Sequence, residues 1–157
     1  MVILWVTVSF NFYMLGFYIS NMEGDINMNS LTSGIAMILA FVIGGPIISK
    51  VGYHKCFAVF FTMTIIASLL YVATPEKSEN FISFLVFVGR LGICPCYSLT
   101  FISSNELFPA KIKSTLFAFC NIIARGLCML APIVAGWADP IPFGIFGMMS
   151  FLCCIAT

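Results

Sequence analysis

Six apolar runs of sixteen or more residues follow one another along this chain, parted by short polar or charged turns. They are residues 1–20, 31–48, 56–74, 81–103, 115–137 and 142–157. A helix that crosses a bilayer needs roughly 20 apolar residues, so six such segments consume the chain. In hydrocarbon an unpaired backbone amide or carbonyl costs several kcal/mol, and a helix pairs nearly all of them internally. The strands of a membrane barrel alternate apolar and polar residues over about ten positions, and these runs do not. The expected fold is therefore an all-α membrane protein, one domain over residues 1–157 with six transmembrane helices; the last run, at 16 residues, is the shortest. The first run has no basic residue ahead of it and no small-residue cleavage site, which makes it a poor signal peptide.

Composition excludes most other classes. With 61% hydrophobic and 8% charged residues and a mean hydropathy of +1.09, the chain lies outside soluble usage. No length remains for a soluble catalytic domain, so the chain is not read as an enzyme, and no cofactor is called for. A net charge of +1 offers no field that recruits nucleic acid. The first partner is the lipid bilayer. Gly44-Gly45-Pro46, Cys94-Pro95-Cys96 and Ala131-Pro132 lie inside the runs, and kinks are expected there, where neighbouring helices satisfy the freed backbone groups.

Loop charge sets the orientation. Glu23 and Asp25 fill the first loop; Lys50, His54 and Lys55 the second; Glu76, Lys77 and Glu79 the third; Lys111 and Lys113 the fourth; Asp139 the fifth. Only the second and fourth carry an excess of base, so by the positive-inside rule those two face the cytoplasm. Both termini then lie there too, which requires an even number of spans.

Among the seven Lys/Arg and six Asp/Glu side chains, only Arg90 and Arg125 fall within apolar runs. Arginine at the centre of a span costs about 2.5–3.5 kcal/mol on insertion scales, so it faces a protein interior or a wet cavity. Arg125 stands eleven residues into its run and nearer the midplane, which makes it the better functional candidate. Either arginine can instead serve only to hold the bundle together through carbonyls, a carboxylate or water.

The run Gly24-Asp25-Ile26, Asn29, Ser33-Gly34 is similar to the G-D-I-x-x-N-x-x-x-S-G stretch that opens the eighth helix of the organic cation and anion transporters of the major facilitator superfamily. Trp5, Phe10 and the pair Phe12-Tyr13 resemble that family's seventh helix, Glu106-Leu107-Phe108-Pro109 with Lys113 its E-L-F-P-x-x-x-R loop, and Ala124-Arg125-Gly126 with Ala131-Pro132 its eleventh helix. The landmarks keep the family's order and spacing over about residues 5–132.

The resemblance implies one half of a major facilitator bundle, helices seven to twelve, with a 3+3 inverted repeat. It implies a secondary transporter of small organic ions, in the plasma membrane or an organelle membrane, working by alternating access. It also implies substrate-binding residues: Phe12 and Tyr13, Tyr97 where the tenth helix carries an aromatic, and Asn121 with Arg125 on the substrate side of the eleventh. An arginine at position 125 is typical of the anion branch, so organic anions or zwitterions are the expected substrates. A guanidinium suits them, since it offers bidentate, charge-assisted hydrogen bonds to a carboxylate, sulfate or phosphate.

The chain departs from the family at Gly52-Tyr53-His54-Lys55, where G-R-R is usual, and at Lys113, which stands for an arginine. Met37 and Leu39 replace an acid and a proline. Half a bundle cannot rock against itself. The partner implied is an N-terminal six-helix half, in the same longer chain or as a separate subunit, and the end of the last run ahead of any cytoplasmic tail reads as a fragment. The rival class is an accessory membrane subunit that kept the fold and lost transport. Among the seven cysteines, Cys94-Pro95-Cys96 matches the soft-metal ligand pattern of heavy-metal pumps, but the phosphorylated domain of those pumps is absent, and no metal site is expected. Apolar packing is the expected state of all seven, although Cys153-Cys154 also suit palmitoylation.

Overall fold

The computed structural model describes residues 1–22, 25–74 and 78–156. Of the loop charges above, Glu23, Glu76 and Lys77 lie outside the described residues, as does Gly24 of the similar stretch. The described chain is helical: α1 Val2–Tyr18, α2 Ile26–Val51, α3 Tyr53–Ala73, α4 Glu79–Leu107, α5 Lys113–Cys128, α6 Ala131–Ala135 and α7 Ile141–Ala156. A single 3₁₀ turn, Ile19–Asn21, extends α1.

Five helical segments are long and apolar enough to cross a membrane, α5 and α6 counting together as Lys113–Ala135. The sixth apolar helix, α7, has 16 residues. At 1.5 Å per residue its described part reaches about 24 Å, against a hydrocarbon core of roughly 30 Å, so five of the six expected spans have full length among the described residues. Several helices outrun their apolar limits, α2 and α4 furthest. α2 starts at Ile26 rather than residue 31, because Asp25 caps it: the Asn27 amide donates to Asp25 Oδ1 at 2.9 Å and the Asn29 amide to the Asp25 carbonyl at 3.0 Å. α4 continues four residues past Ser103 and stops at Phe108, ahead of Pro109.

The three proline sites differ in helix continuity. α2 and α4 are helical through Pro46 and Pro95. The third site interrupts the helix at Met129 and Leu130, so that α6 restarts with Pro132 in its first turn, where a missing N–H does no harm. Between α2 and α3 the chain reverses on Gly52 alone, with φ at 86°, a conformation that favours glycine.

α4 packs on α1, α2 and α3; α1 packs on α4, α5, α6 and α7; α3 and α7 pair as well. Two glycines permit the closest approaches. A Cβ at Gly92 of α4 would collide with Thr64 Oγ1 and lie 2.8 Å from the Phe60 carbonyl of α3, and one at Gly147 of α7 would lie 2.7 Å from Ser68 Cβ of α3. Small residues at such crossings let helix backbones meet where lipid removes the hydrophobic drive to associate.

The two ends of the bundle differ. Met1, Leu4, Tyr53, His54, Ser103 and Glu106 surround a cavity of about 340 Å³, so the start of α1 meets the two base-rich turns at one end. There Tyr53 donates its hydroxyl to Glu106 Oε1, and Trp5 donates from Nε1 to Ser104 Oγ at 2.8 Å. His54, expected in a loop, belongs to the first turn of α3 and is exposed. At the opposite end Tyr18 donates to Asp139 Oδ1 and pairs with the Tyr71 hydroxyl at 3.2 Å, while Asn21 Nδ2 donates to the Ala135 carbonyl at 3.0 Å.

Candidate functional site

On α1, residues 12, 13, 16 and 17 repeat at helical spacing and form the face that the bundle leaves uncovered. Their neighbours Met14, Leu15 and Tyr18 are buried on the opposite side. The other predicted residues gather on that open face. Phe12 and Tyr97 stack with centroids 4.8 Å apart and planes 20° from parallel, and Phe12 meets Tyr13 edge to face at 5.5 Å. Tyr13 and Arg125 line one crevice, which joins the aromatic set to α5. Arg125 donates from Nε to Asn121 Oδ1 at 2.8 Å, one turn back along α5. Phe12, Tyr13, Tyr97, Asn121 and Arg125 thus form one connected cluster, drawn from α1, α4 and α5.

The two arginines, both expected to face a protein interior or a wet cavity, stand in different environments. Arg125 is exposed in this chain, on the wall of a shallow crevice with Tyr13, Phe17, Cys128, Met129 and Pro132. Arg90 is the buried one, with 7% of its surface accessible. Its Nε donates to Ser33 Oγ of α2 at 2.9 Å, its Nη1 to the Phe12 carbonyl at 3.0 Å, and its guanidinium carbon lies 5.2 Å from the Phe12 ring centre. Position within an apolar run measures depth along one helix; burial depends on how many helices surround it. α4 has neighbours on three sides, whereas α5 packs mainly on α1, so the arginine of α4 is enclosed.

Residues beyond the predicted set complete the face. Phe17 lines both the Arg125 crevice and a second crevice of about 250 Å³ bounded by Phe12, Tyr13, Gly16, Met37 and Arg90. Phe17 stands four and five residues after Tyr13 and Phe12, a periodicity visible in the sequence without any alignment. The α2–α4 seam beside it is polar: Ser83 Oγ donates to Asn29 Oδ1 at 2.6 Å, two turns along α4 from the Ser33–Arg90 bond, and Asn29 Nδ2 is buried with no hydrogen-bond partner among the described residues. Cys94 and Cys96 are buried in α4, and none of the seven cysteines, all among the described residues, is in a disulfide; among the described residues no three metal-ligating side chains gather.

No family model matches the chain. Curated relatives match it along most of its length. The organic cation transporter-like protein of Drosophila melanogaster is 24% identical over 151 residues, 94% of this chain. Organic cation/carnitine transporter 4 of Arabidopsis thaliana is 26% identical over 148 residues, 90% of the chain. Organic cation/carnitine transporter 2 of Homo sapiens is 23% identical over 161 residues, 99% of the chain. The chain spans only 27–28% of the length of these relatives and matches their C-terminal region. Its homologues are organic cation/carnitine transporters of solute carrier family 22, which belong to the major facilitator superfamily. With its apolar helices, that relationship makes the chain an integral, multi-pass membrane protein.

Proposed function

We propose that this chain is the C-terminal half-bundle of an alternating-access secondary transporter, and that Phe12, Tyr13, Tyr97, Asn121 and Arg125 contact a small organic anion or zwitterion. The observation that carries the reading is their convergence, from three helices, on the one uncovered face of α1. An N-terminal half, in the same protein or as a separate subunit, covers that face and closes a path between the halves. The aromatic rings hold the apolar body of the substrate, and the guanidinium beside them holds its anionic group. Carnitine, named for two of the relatives, is itself a zwitterion.

The packing supports a 3+3 repeat. Exchanging α1 with α4, α2 with α5 and α3 with α7 turns the α2–α4 contact into α5–α1 and the α3–α4 contact into α7–α1. The α1–α4 and α3–α7 contacts map onto themselves. The base-rich turns share one end of the bundle with the start of α1, in keeping with cytoplasmic termini; the plasma membrane is the proposed location.

The test is uptake of labelled benzoate by cells making the whole protein. Arg125→Ala abolishes uptake while the variant still reaches the membrane. Undiminished uptake by that variant removes Arg125 from the site.

A further inference from the structure

We infer that the cavity of about 340 Å³ at the base-rich end of the bundle binds a primary organic ammonium ion, with Glu106 as its counter-ion. The site is separate from the face that carries Phe12 and Arg125. Leu4, on the cavity wall, precedes Phe12 by eight residues, about 12 Å along α1. A cation there would bind whether or not the chain takes part in transport.

Helical spacing builds the wall. Ser103, Glu106 and Leu107 stand at i, i+3 and i+4 on α4, Tyr53 and Phe57 are four apart on α3, and Leu4 comes from α1. Leu4, Phe57 and Leu107 are apolar, while the polar residues beside them supply acceptors. A carboxylate accepts up to about four hydrogen bonds, and that of Glu106 accepts from the Tyr53 hydroxyl at Oε1, which holds its orientation. The Tyr53 oxygen, its proton given to Glu106, keeps lone pairs of its own. Ser103 Oγ has likewise given its proton, to the Thr100 carbonyl at 3.3 Å. A primary ammonium brings three N–H donors and no acceptor, the complement of this set. Glu106 is the one carboxylate among the described residues that line the cavity, and no Lys or Arg stands with it; His54, the remaining polar wall residue, is exposed at the start of α3. Charge-assisted hydrogen bonds to Glu106 hold the ammonium, and the apolar walls receive an arylalkyl body in a cavity of ordinary small-ligand size.

The experiment measures equilibrium binding of phenethylamine to the purified whole protein in detergent at about pH 8, where an ordinary imidazole is neutral and the amine is still charged. Phenethyl alcohol lacks the charge, and the N-trimethylated amine keeps it without N–H donors; each is expected to bind about tenfold more weakly or worse. Glu106→Gln keeps an oxygen for the Tyr53 hydroxyl and removes the charge. It is expected to weaken phenethylamine about tenfold or more and phenethyl alcohol by less than about twofold. Ser103→Ala takes away one acceptor and is expected to weaken phenethylamine about threefold; it becomes the deciding variant if Glu106→Gln fails to fold. Arg125→Ala leaves phenethylamine binding at its wild-type value. If a folded Glu106→Gln, or Ser103→Ala in its place, binds the amine as the wild type does, the site is overturned. A wild type that binds the trimethylated amine as tightly as the primary one also overturns it. So does loss of amine binding in Arg125→Ala, which would put the cation on the face of Phe12 and Arg125 instead. None of these results touches benzoate uptake by the wild type, on which the transport reading is tested.

Discussion

Phe12 of α1 and Tyr97 of α4 lie nearly parallel, ring centres 4.8 Å apart, across the crossing of the two helices that touch most of the others. An aromatic pair of this kind contributes about 0.5–1.5 kcal/mol beyond the area that it buries. Both rings are only half-buried, so each also presents a face to the open side of the bundle. Tyr97→Phe preserves the stack and is expected to keep the KM for benzoate uptake within about twofold. Tyr97→Ala removes it and is expected to raise KM roughly 2–10-fold at unchanged membrane delivery, the range for losing one aromatic contact with the bound substrate. Equal KM values for the two variants would remove Tyr97 from the substrate wall.

Asn121 positions Arg125 by accepting its Nε proton at 2.8 Å. Asn121→Ala leaves the guanidinium charged but free to rotate, and the loss of orientation is expected to fall on affinity more than on maximal rate. A KM increase of about threefold or more with membrane abundance unchanged is the expected result for uptake of benzoate; Asn121→Asp, which fixes the arginine in an ion pair and cancels its charge, is expected to be worse than alanine. An aspartate variant that matches the wild type would show that Arg125 has no anion to meet.

These two cases mark what the sequence discloses. The helical state of the six apolar runs, the segregation of base into alternate turns and the i, i+4 relation of Asn121 and Arg125 follow from chain-local patterns, and they reappear in three dimensions, with the fifth run broken at Met129 and Leu130 and the sixth short. The starting point of α2 was hidden because Asn27, Asn29 and Ser30 look like loop by hydropathy, whereas the Asp25 cap makes them helix. Burial of Arg90 rather than Arg125 was hidden for a different reason: enclosure depends on α4 touching α1, α2 and α3 at once, a long-range fact that no window of residues contains. The convergence of Phe12 with Tyr97 came from family resemblance alone, since 17 Phe and 5 Tyr give no local means of choosing among rings.

The α3 crossings make a stability prediction. Gly92→Ala and Gly147→Ala each drive a methyl group into α3, against Thr64 and Phe60 in one case and Ser68 in the other. Overpacking of this kind costs about 1–3 kcal/mol. Gly34 is the control, because a Cβ there meets nothing within 4 Å and alanine favours the helix by roughly 1 kcal/mol. Thermal unfolding of the whole protein in detergent is expected to rank Gly34→Ala at or above the wild type and both crossing variants below it. Crossing variants as stable as the wild type would mean that the helices do not approach this closely.

Orientation is open to a labelling test at two exposed positions on opposite ends of the bundle. Ser114 follows the Lys111–Lys113 turn, and Ala138 precedes Asp139 beside the ends of α1 and α3. Lys and Arg remain on the cytoplasmic side during insertion, so the turn bearing Lys111 and Lys113 is expected inside and the Asp139 turn outside. In intact cells a membrane-impermeant thiol reagent should modify Ala138→Cys and spare Ser114→Cys, and permeabilisation should expose the latter. The native cysteines are buried or half-buried within helices, which keeps the background low. The reverse pattern would place the cavity beside Tyr53 and Glu106 on the outer face, and both base-rich turns with it, so the charge rule and the direction of every helix would have to be inverted together.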